Sequence, residues 1–64
     1  MKKYCVQNVA LNTVYNGIGY FDSKDEIVKY LEEYEAHGWN GWYRIDNKNG
    51  CCFLGTLEEL KNEF

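Results

Sequence analysis

The sequence predicts a small α+β domain: an antiparallel sheet of three or four strands, one main helix and a short C-terminal helix, in the order β-β-α-β-β-α. Two segments begin with capping-box sequences, SKDE and TLEE, which are typical of helix starts. The segments that precede them are rich in Val, Tyr, Ile and Phe and contain Asn-Gly pairs, which favour strands joined by hairpin turns. A sheet with helices on one face is the two-layer arrangement that fits this order.

The length and composition indicate one folded domain spanning residues 1–64. A chain this short buries only about 60% of the surface that its unfolded form exposes. Hydrophobic residues make up 45% of the chain and aromatic residues 17%. Because aromatic side chains bury a large area each, this composition supplies a core to a short chain and argues against disorder.

The first strand is predicted over residues 3–11, but its apolar residues do not alternate regularly. Cys5, Val9 and Leu11 share one parity, whereas Val6 has the other. Either a β-bulge or a strand buried on both faces explains this pattern.

The turn into the second strand is predicted near Asn12-Thr13 or at Asn16-Gly17. The Asn-Gly pair is the stronger hairpin signal, because a type I′ turn needs positive φ at both central residues. The second strand then ends near Phe21.

The main helix is predicted over Lys24–His37. Ser23 is its expected N-cap, paired with Glu26 in a capping box. Gly38 is the expected left-handed residue after its last turn. Apolar side chains recur at helical spacing and predict the buried face: Ile27, Tyr30, Leu31 and Tyr34. The acidic residues expected on the outer face are Glu32, Glu33 and Glu35.

A second hairpin is predicted around the loop NKNG. Ile45 pairs with Cys52 if all four loop residues turn, and with Leu54 if only Asn49-Gly50 turn. Because these registers differ by two residues, both predict the same faces. The helix-facing side is expected to carry Tyr43, Ile45, Cys52 and Leu54, with Cys52 as a small buried residue. The opposite side is expected to carry Trp42, Arg44, Asp46, Cys51 and Phe53.

The last helix is predicted to start at the capping box formed by Thr56 and Glu59. Its apolar side comprises Leu57, Leu60 and Phe64.

Two tryptophans lie close together in the stretch HGWNGWYRI. Trp39 follows Gly38 directly and is expected to fold back onto the helix as part of the core. Trp42 is expected on the sheet face opposite Tyr43, which two helices packed on one side leave uncovered. Alternatively, the last helix or the first strand covers that face, or the Arg44 stem shields the indole.

No catalytic, metal or cofactor site is predicted. Cys5, Cys51, Cys52 and His37 have the residue types of a zinc site, but the chain lacks a Cys-x-x-Cys pair, and neighbouring strand residues point to opposite faces. No pattern brings a nucleophile, a base and an oxyanion donor together. His37 is interpreted as a residue that suits a helix C-terminus.

Charge and cysteine content favour a cytoplasmic protein that does not bind nucleic acid directly. The net charge is −3, and the seven basic residues are outnumbered by ten acidic ones. No apolar run is long enough for a signal sequence or a membrane span. Three cysteines, an odd number, fit a reducing compartment better than a disulfide framework.

These observations predict a non-enzymatic protein that binds, and inhibits or modulates, another protein, with a basic partner surface favoured by the acidic charge. An exposed Trp beside Arg and Phe has the composition of an interaction hot spot. The predicted contact residues are Trp42, Arg44, Phe53, Tyr15 and Tyr20, with Glu32 and Glu33 steering the approach of the partner.

Two alternative functions remain open. In the first, a second copy of the chain covers the Trp42 face in a homodimer. In the second, the acidic helix face mimics a nucleic acid. In size, acidity and lack of partner domains, the chain is similar to small accessory proteins of bacteriophages and mobile elements, which commonly bind and inhibit host proteins, including those of defence systems. This similarity of class assigns no role to any residue.

Overall fold

The computed structural model describes residues 2–10, 14–39 and 41–64 of the chain. Its elements are β1 (Tyr4–Ala10), β2 (Val14–Phe21), α1 (Lys24–Ala36), β3 (Trp42–Asn47), β4 (Gly50–Thr56) and α2 (Leu57–Glu63). The four strands form one antiparallel sheet in the order β2-β1-β3-β4. The predicted α+β class and element order are therefore confirmed.

The β1–β2 hairpin is longer than the Asn-Gly signal predicted. Asn16-Gly17 lies inside β2, so the prediction of a turn there is wrong. Asn16 instead pairs with Asn8 across the hairpin, and its Nδ2 donates a hydrogen bond to Asn8 Oδ1 at 3.1 Å. The strands are connected through residues 11–13, so the alternative Asn12-Thr13 turn falls outside the described residues.

A β-bulge interrupts this hairpin, but its extra residue lies in β2; β1 pairs with β3 in unbroken register, so the bulge considered for the first strand itself is not observed. Val6 pairs with Gly19 and Gln7 with Gly17, which leaves Ile18 as the extra residue in β2. An extra residue reverses which side chains face which way beyond it. As a result, Tyr20 lies opposite Cys5 instead of Tyr4.

The β3–β4 hairpin contains a second bulge. Asn47 pairs with Gly50 around a two-residue turn, in which Asn47 Oδ1 accepts a hydrogen bond from the Asn49 backbone N–H at 2.8 Å. The φ of +114° at Gly50 suits a residue without a Cβ. Farther along, Ile45 pairs with Phe53, so Cys52 is the extra residue.

This bulge corrects the predicted faces of β4. Neither predicted partner of Ile45, Cys52 or Leu54, is the one observed. Phe53 packs against the core, whereas Leu54 lies opposite Arg44 and is exposed. Cys52 is also exposed, so the expectation that it is buried is wrong. The prediction failed because it assumed unbroken alternation along the strand.

Local capping signals determine the ends of α1. The Ser23 side chain accepts a hydrogen bond from Glu26 N–H, as predicted. The Glu26 carboxylate, however, accepts from the backbone N–H of Asp22, one residue earlier than a capping box requires. The helix ends at His37, the C-cap, and Gly38 follows with a positive φ of 112°.

A complete capping box begins α2, as predicted: Thr56 and Glu59 each satisfy a backbone N–H of the other. At the end of this helix, the Phe64 ring packs edge-on against Tyr4 and Phe53, with ring centroids 5.5 and 5.9 Å apart. These contacts connect the last residue to the sheet.

The core lies between the two helices and one face of the sheet. It consists of Val6, Ile27, Leu31, Tyr43, Ile45, Leu57 and Leu60. Ile27 and Leu31 are the buried members of the predicted helix stripe, whereas Tyr30 is exposed and Tyr34 is half-buried. Trp39 packs against this core, as expected.

Tyrosine hydroxyls join α1 to the sheet. Tyr43 donates a hydrogen bond to the Glu35 carboxylate at 2.7 Å, so Glu35 is partly buried and not on the outer face as predicted. Asn8, only 5% exposed, donates to the Tyr34 hydroxyl at 2.6 Å. These bonds satisfy polar groups that would otherwise destabilise the layer interface.

We expect Leu31→Ala to lower the free energy of unfolding by about 2–5 kcal/mol, because it removes a fully buried side chain and leaves a cavity. The exposed neighbour Glu33 provides the control, since Glu33→Ala should change stability by less than about 0.5 kcal/mol. Urea unfolding of both variants measures the difference. Similar values for the two would contradict the assignment of the core.

We expect stability to fall as the pH rises above about 10, with Tyr43 contributing to the fall. Burial raises the pKa of Tyr43 above its usual value, and the hydrogen bond to Glu35 raises it further. Between the two pKa values the unfolded chain releases a proton that the folded protein retains, so increasing pH favours unfolding. Tyr43→Phe should therefore show a shallower decline in urea-unfolding stability between about pH 10 and 11.5. Parallel curves would contradict this role.

Candidate functional site

The sheet face opposite the helices carries three rows of side chains across the strands. We call this surface the open face. The first row is Tyr15, Val9, Trp42 and Thr56; the second is Gly17, Gln7, Arg44 and Leu54; the third is Tyr20, Cys5, Asp46 and Cys51. Each row follows from the strand register, and the third row depends on both bulges.

Large apolar side chains on the open face remain in contact with solvent. Their exposed fractions are 44% for Tyr15, 51% for Trp42, 49% for Leu54 and 68% for Tyr20. Among the described residues, one further large apolar side chain is exposed, Tyr30 on α1. We call the four sheet residues the apolar patch. Their grouping on one face differs from the scattered exposed apolar residues of most monomers.

Arg44 occupies the centre of the open face. Its Nε donates to Asp46 Oδ1 at 2.9 Å, and its guanidinium lies 5.3 Å from the centre of the Tyr15 ring. Trp42 is half exposed although Arg44 is its near neighbour, so the alternative in which the Arg44 stem shields the indole is not observed. The contacts of Arg44 hold its guanidinium in a defined position beside the patch.

Three lysines surround one end of the open face. Lys2, Lys3 and Lys48 line an open depression of about 530 Å³, together with three residues of the third row, Tyr20, Cys5 and Asp46. We call these three lysines the basic corner. Lys2 also forms an ion pair with Asp22 at 3.3 Å. Both side chains are about half exposed, so this pair contributes little to stability.

The charges of the protein are separated between its two layers. The sheet segments, residues 2–21 and 39–56, carry four basic side chains and one acidic one, a net charge of +3. The helix segments, residues 22–38 and 57–64, carry three basic and nine acidic side chains, a net charge of −6. The overall charge of −3 is therefore the sum of a positive sheet and a negative helix layer.

The structure brings together four of the seven predicted contact residues: Trp42, Arg44, Tyr15 and Tyr20 share the open face. Phe53 does not belong to it, because the bulge at Cys52 turns Phe53 toward α2.

The acidic pair is separate from this face. Glu32 and Glu33 are exposed on α1, on the other side of the sheet, where Glu32 forms an ion pair with Lys61 at 2.9 Å.

Sequence reasoning missed Leu54 and the basic corner. Regular alternation along the strand predicted that Leu54 is buried, because no local sequence signal marks the bulge at Cys52. The lysines come from two distant segments, and only the sheet order places residues 2–3 beside residue 48.

The three cysteines have free thiols, and they lie apart from any cluster of candidate metal ligands in the described part of the chain. Within residues 2–10, 14–39 and 41–64, no group of three His, Cys, Asp or Glu side chains is placed to hold a metal ion. Although Cys52 as a whole residue is exposed, protein atoms around its thiol displace water and raise the pKa of the thiol, and the neighbouring Cys51 raises it further. A raised pKa lowers the thiolate fraction and hence the nucleophilicity of Cys52.

Comparisons with family models, curated proteins and solved structures found no match for this chain. In the described part of the chain, no helix is long and apolar enough to cross a membrane.

We expect truncation of the two tryptophans to lower stability by very different amounts. Trp42→Ala should change the free energy of unfolding by less than about 1 kcal/mol, because about half of the side chain is exposed and it lies outside the core. Trp39→Ala should cost about 2–4 kcal/mol, because Trp39 packs against Tyr34 and the core. Thermal or urea unfolding of the two variants measures this. A large loss with Trp42→Ala would place Trp42 in the core and remove the patch.

Proposed function

We propose that this protein acts in the cytoplasm, without catalysis, by binding another protein through the open face of its sheet. The observation that supports this proposal is the grouping of four large exposed apolar side chains on that face, around a positioned arginine. The helices cover the opposite face, so the protein's own fold leaves the apolar patch uncovered.

The composition of the patch fits an interface core. Trp, Tyr and Arg are the residues most enriched at binding hot spots. Trp42 and Tyr15 flank Val9 in one row, and Arg44 lies next to them in the second row. Because paired strands hold the backbone beneath these side chains, little backbone freedom is lost when a partner binds them.

A small protein with one such face acts by occupying a surface of its partner. We propose that this occupation inhibits or modulates the partner, as small accessory proteins of bacteriophages and mobile elements do to host proteins. No reacting group is needed for this action.

Two other functions differ from this proposal in measurable ways. A homodimer that buries the open face would have about twice the monomer mass at micromolar concentration. A nucleic-acid mimic would use the acidic helix layer instead, so charge reversal at Glu32 and Glu33 would weaken partner binding more than any change at Trp42.

The proposal predicts that Trp42→Ala weakens partner binding at least about 30-fold, the loss expected for a hot-spot residue worth about 2 kcal/mol or more. The partner is recovered by affinity capture from native host lysate with the wild-type protein, and its affinity for purified variants is then measured by calorimetry. Tyr30→Ala is the matched control, because Tyr30 is an exposed aromatic residue on the other layer. It should change the affinity less than about threefold.

Equal losses with Trp42→Ala and Tyr30→Ala would contradict the proposal, as would a protein retained equally by the wild type and by Trp42→Ala. Circular dichroism of each variant establishes that the fold is intact before affinities are compared.

A further inference from the structure

The open face has two ends: Tyr15 and Trp42 of the apolar patch lie in its first row, whereas the basic corner lies beside Tyr20 in its third row. The row containing Trp42 and the row containing Cys5 are four residues apart along β1. Since a strand rises about 3.3 Å per residue, about 13 Å separates them. A ligand that contacts both ends must therefore be extended and must combine an apolar group with negative charge.

The charges of this face argue against a second copy as its occupant. In a symmetric dimer the same patch meets itself, so both sets of sheet cations would approach one another. Asp46 is the one acidic side chain in the sheet segments, and it is already paired with Arg44. A head-to-tail contact between sheet and helix layers would leave a free face on each copy of a pair, so it would lead to a ring or a filament of several copies instead of a dimer.

The placement of the cations also argues against nucleic acid. A single-stranded nucleic acid carries a phosphate at every nucleotide, so its binding sites distribute cations along a groove beside the stacking residues. Here the lysines are grouped at one end, and Arg44, the cation beside Tyr15, is paired with Asp46. A local group of carboxylates fits this arrangement better than a continuous phosphate chain.

We infer that the occupant of the open face is an acidic extended segment of the protein partner, with its carboxylates at the basic corner and an apolar or aromatic side chain on the apolar patch. This inference rests on the proposed function and specifies its partner. The acidity of the whole chain predicts a basic partner surface, but the positive charge of the sheet reverses that expectation for the open face. A basic partner surface would instead complement the acidic helix layer.

A pair of synthetic peptides tests this inference. The acidic probe has seven residues, with tyrosine at one end, three glutamates at the other and a glycine-serine spacer that spans the face when extended. Its analogue has glutamine in place of each glutamate. Titration of the ¹⁵N-labelled protein at low salt should shift the amide resonances of Lys3, Tyr20 and Lys48 and the indole N–H of Trp42. The glutamine analogue should bind at least fivefold more weakly.

Charge-reversal variants identify the surface responsible. The double variant Lys3→Glu, Lys48→Glu should weaken binding of the acidic probe at least tenfold. Lys29→Glu makes one such change on the helix layer, where Lys29 is exposed, and should leave the affinity within twofold. Equal effects of the variants, equal binding of the two peptides, or no shift at millimolar probe would each overturn the inference.

Two further measurements complete the experiment. One is the affinity for a ten-nucleotide oligothymidylate, and the other is the mass of the protein in solution without a ligand. Tighter binding of the oligonucleotide than of the acidic peptide would favour a nucleic-acid ligand and overturn the inference, and a concentration-dependent mass of two copies would do the same in favour of a dimer. If Trp42→Ala abolishes binding of the captured partner but the double lysine variant does not, the proposed function stands and the acidic occupant is wrong.

Discussion

Each edge strand of the sheet contains a β-bulge where it pairs with its inner neighbour. The extra residue is Ile18 in β2 and Cys52 in β4. Side chains alternate between the faces of a strand, so one extra residue reverses every position beyond it. One bulge directs Tyr20 to the open face, and the other turns Phe53 toward the core and Leu54 to solvent. The composition of both faces of the sheet therefore depends on these two irregularities.

The open face depends on the packing of the helices as well as on the strand register. Two helices, of 13 and 7 residues, cover one side of a four-stranded sheet and leave the other side in water. In a two-layer domain that second side is usually polar. Here it carries Trp42 and three further exposed apolar side chains, and its charge is opposite to that of the helix layer. Both properties distinguish it from an ordinary solvated sheet surface.

The buried core contains no residue of the open face. Tyr43 and Tyr34 place their rings between the layers while their hydroxyls hydrogen-bond to Glu35 and Asn8. An aromatic core can therefore form in a short chain without leaving these polar atoms unpaired. Because stability is concentrated on the helix side of the sheet, the residues on the other side are available for contacts with a partner.

The sequence by itself determined the elements whose signals are local: both helix starts at Ser23 and Thr56, the strand order along the chain, and the outward position of Trp42. A cap or a turn glycine acts on backbone groups within a few residues, so its effect is readable from the sequence. Only the tertiary structure decided where Phe53 and Leu54 lie, because a bulge arises from the competition between neighbouring strands for register and core contacts. The basic corner was also a tertiary outcome, since the sheet order is what places the lysines at residues 2–3 next to the turn at residue 48.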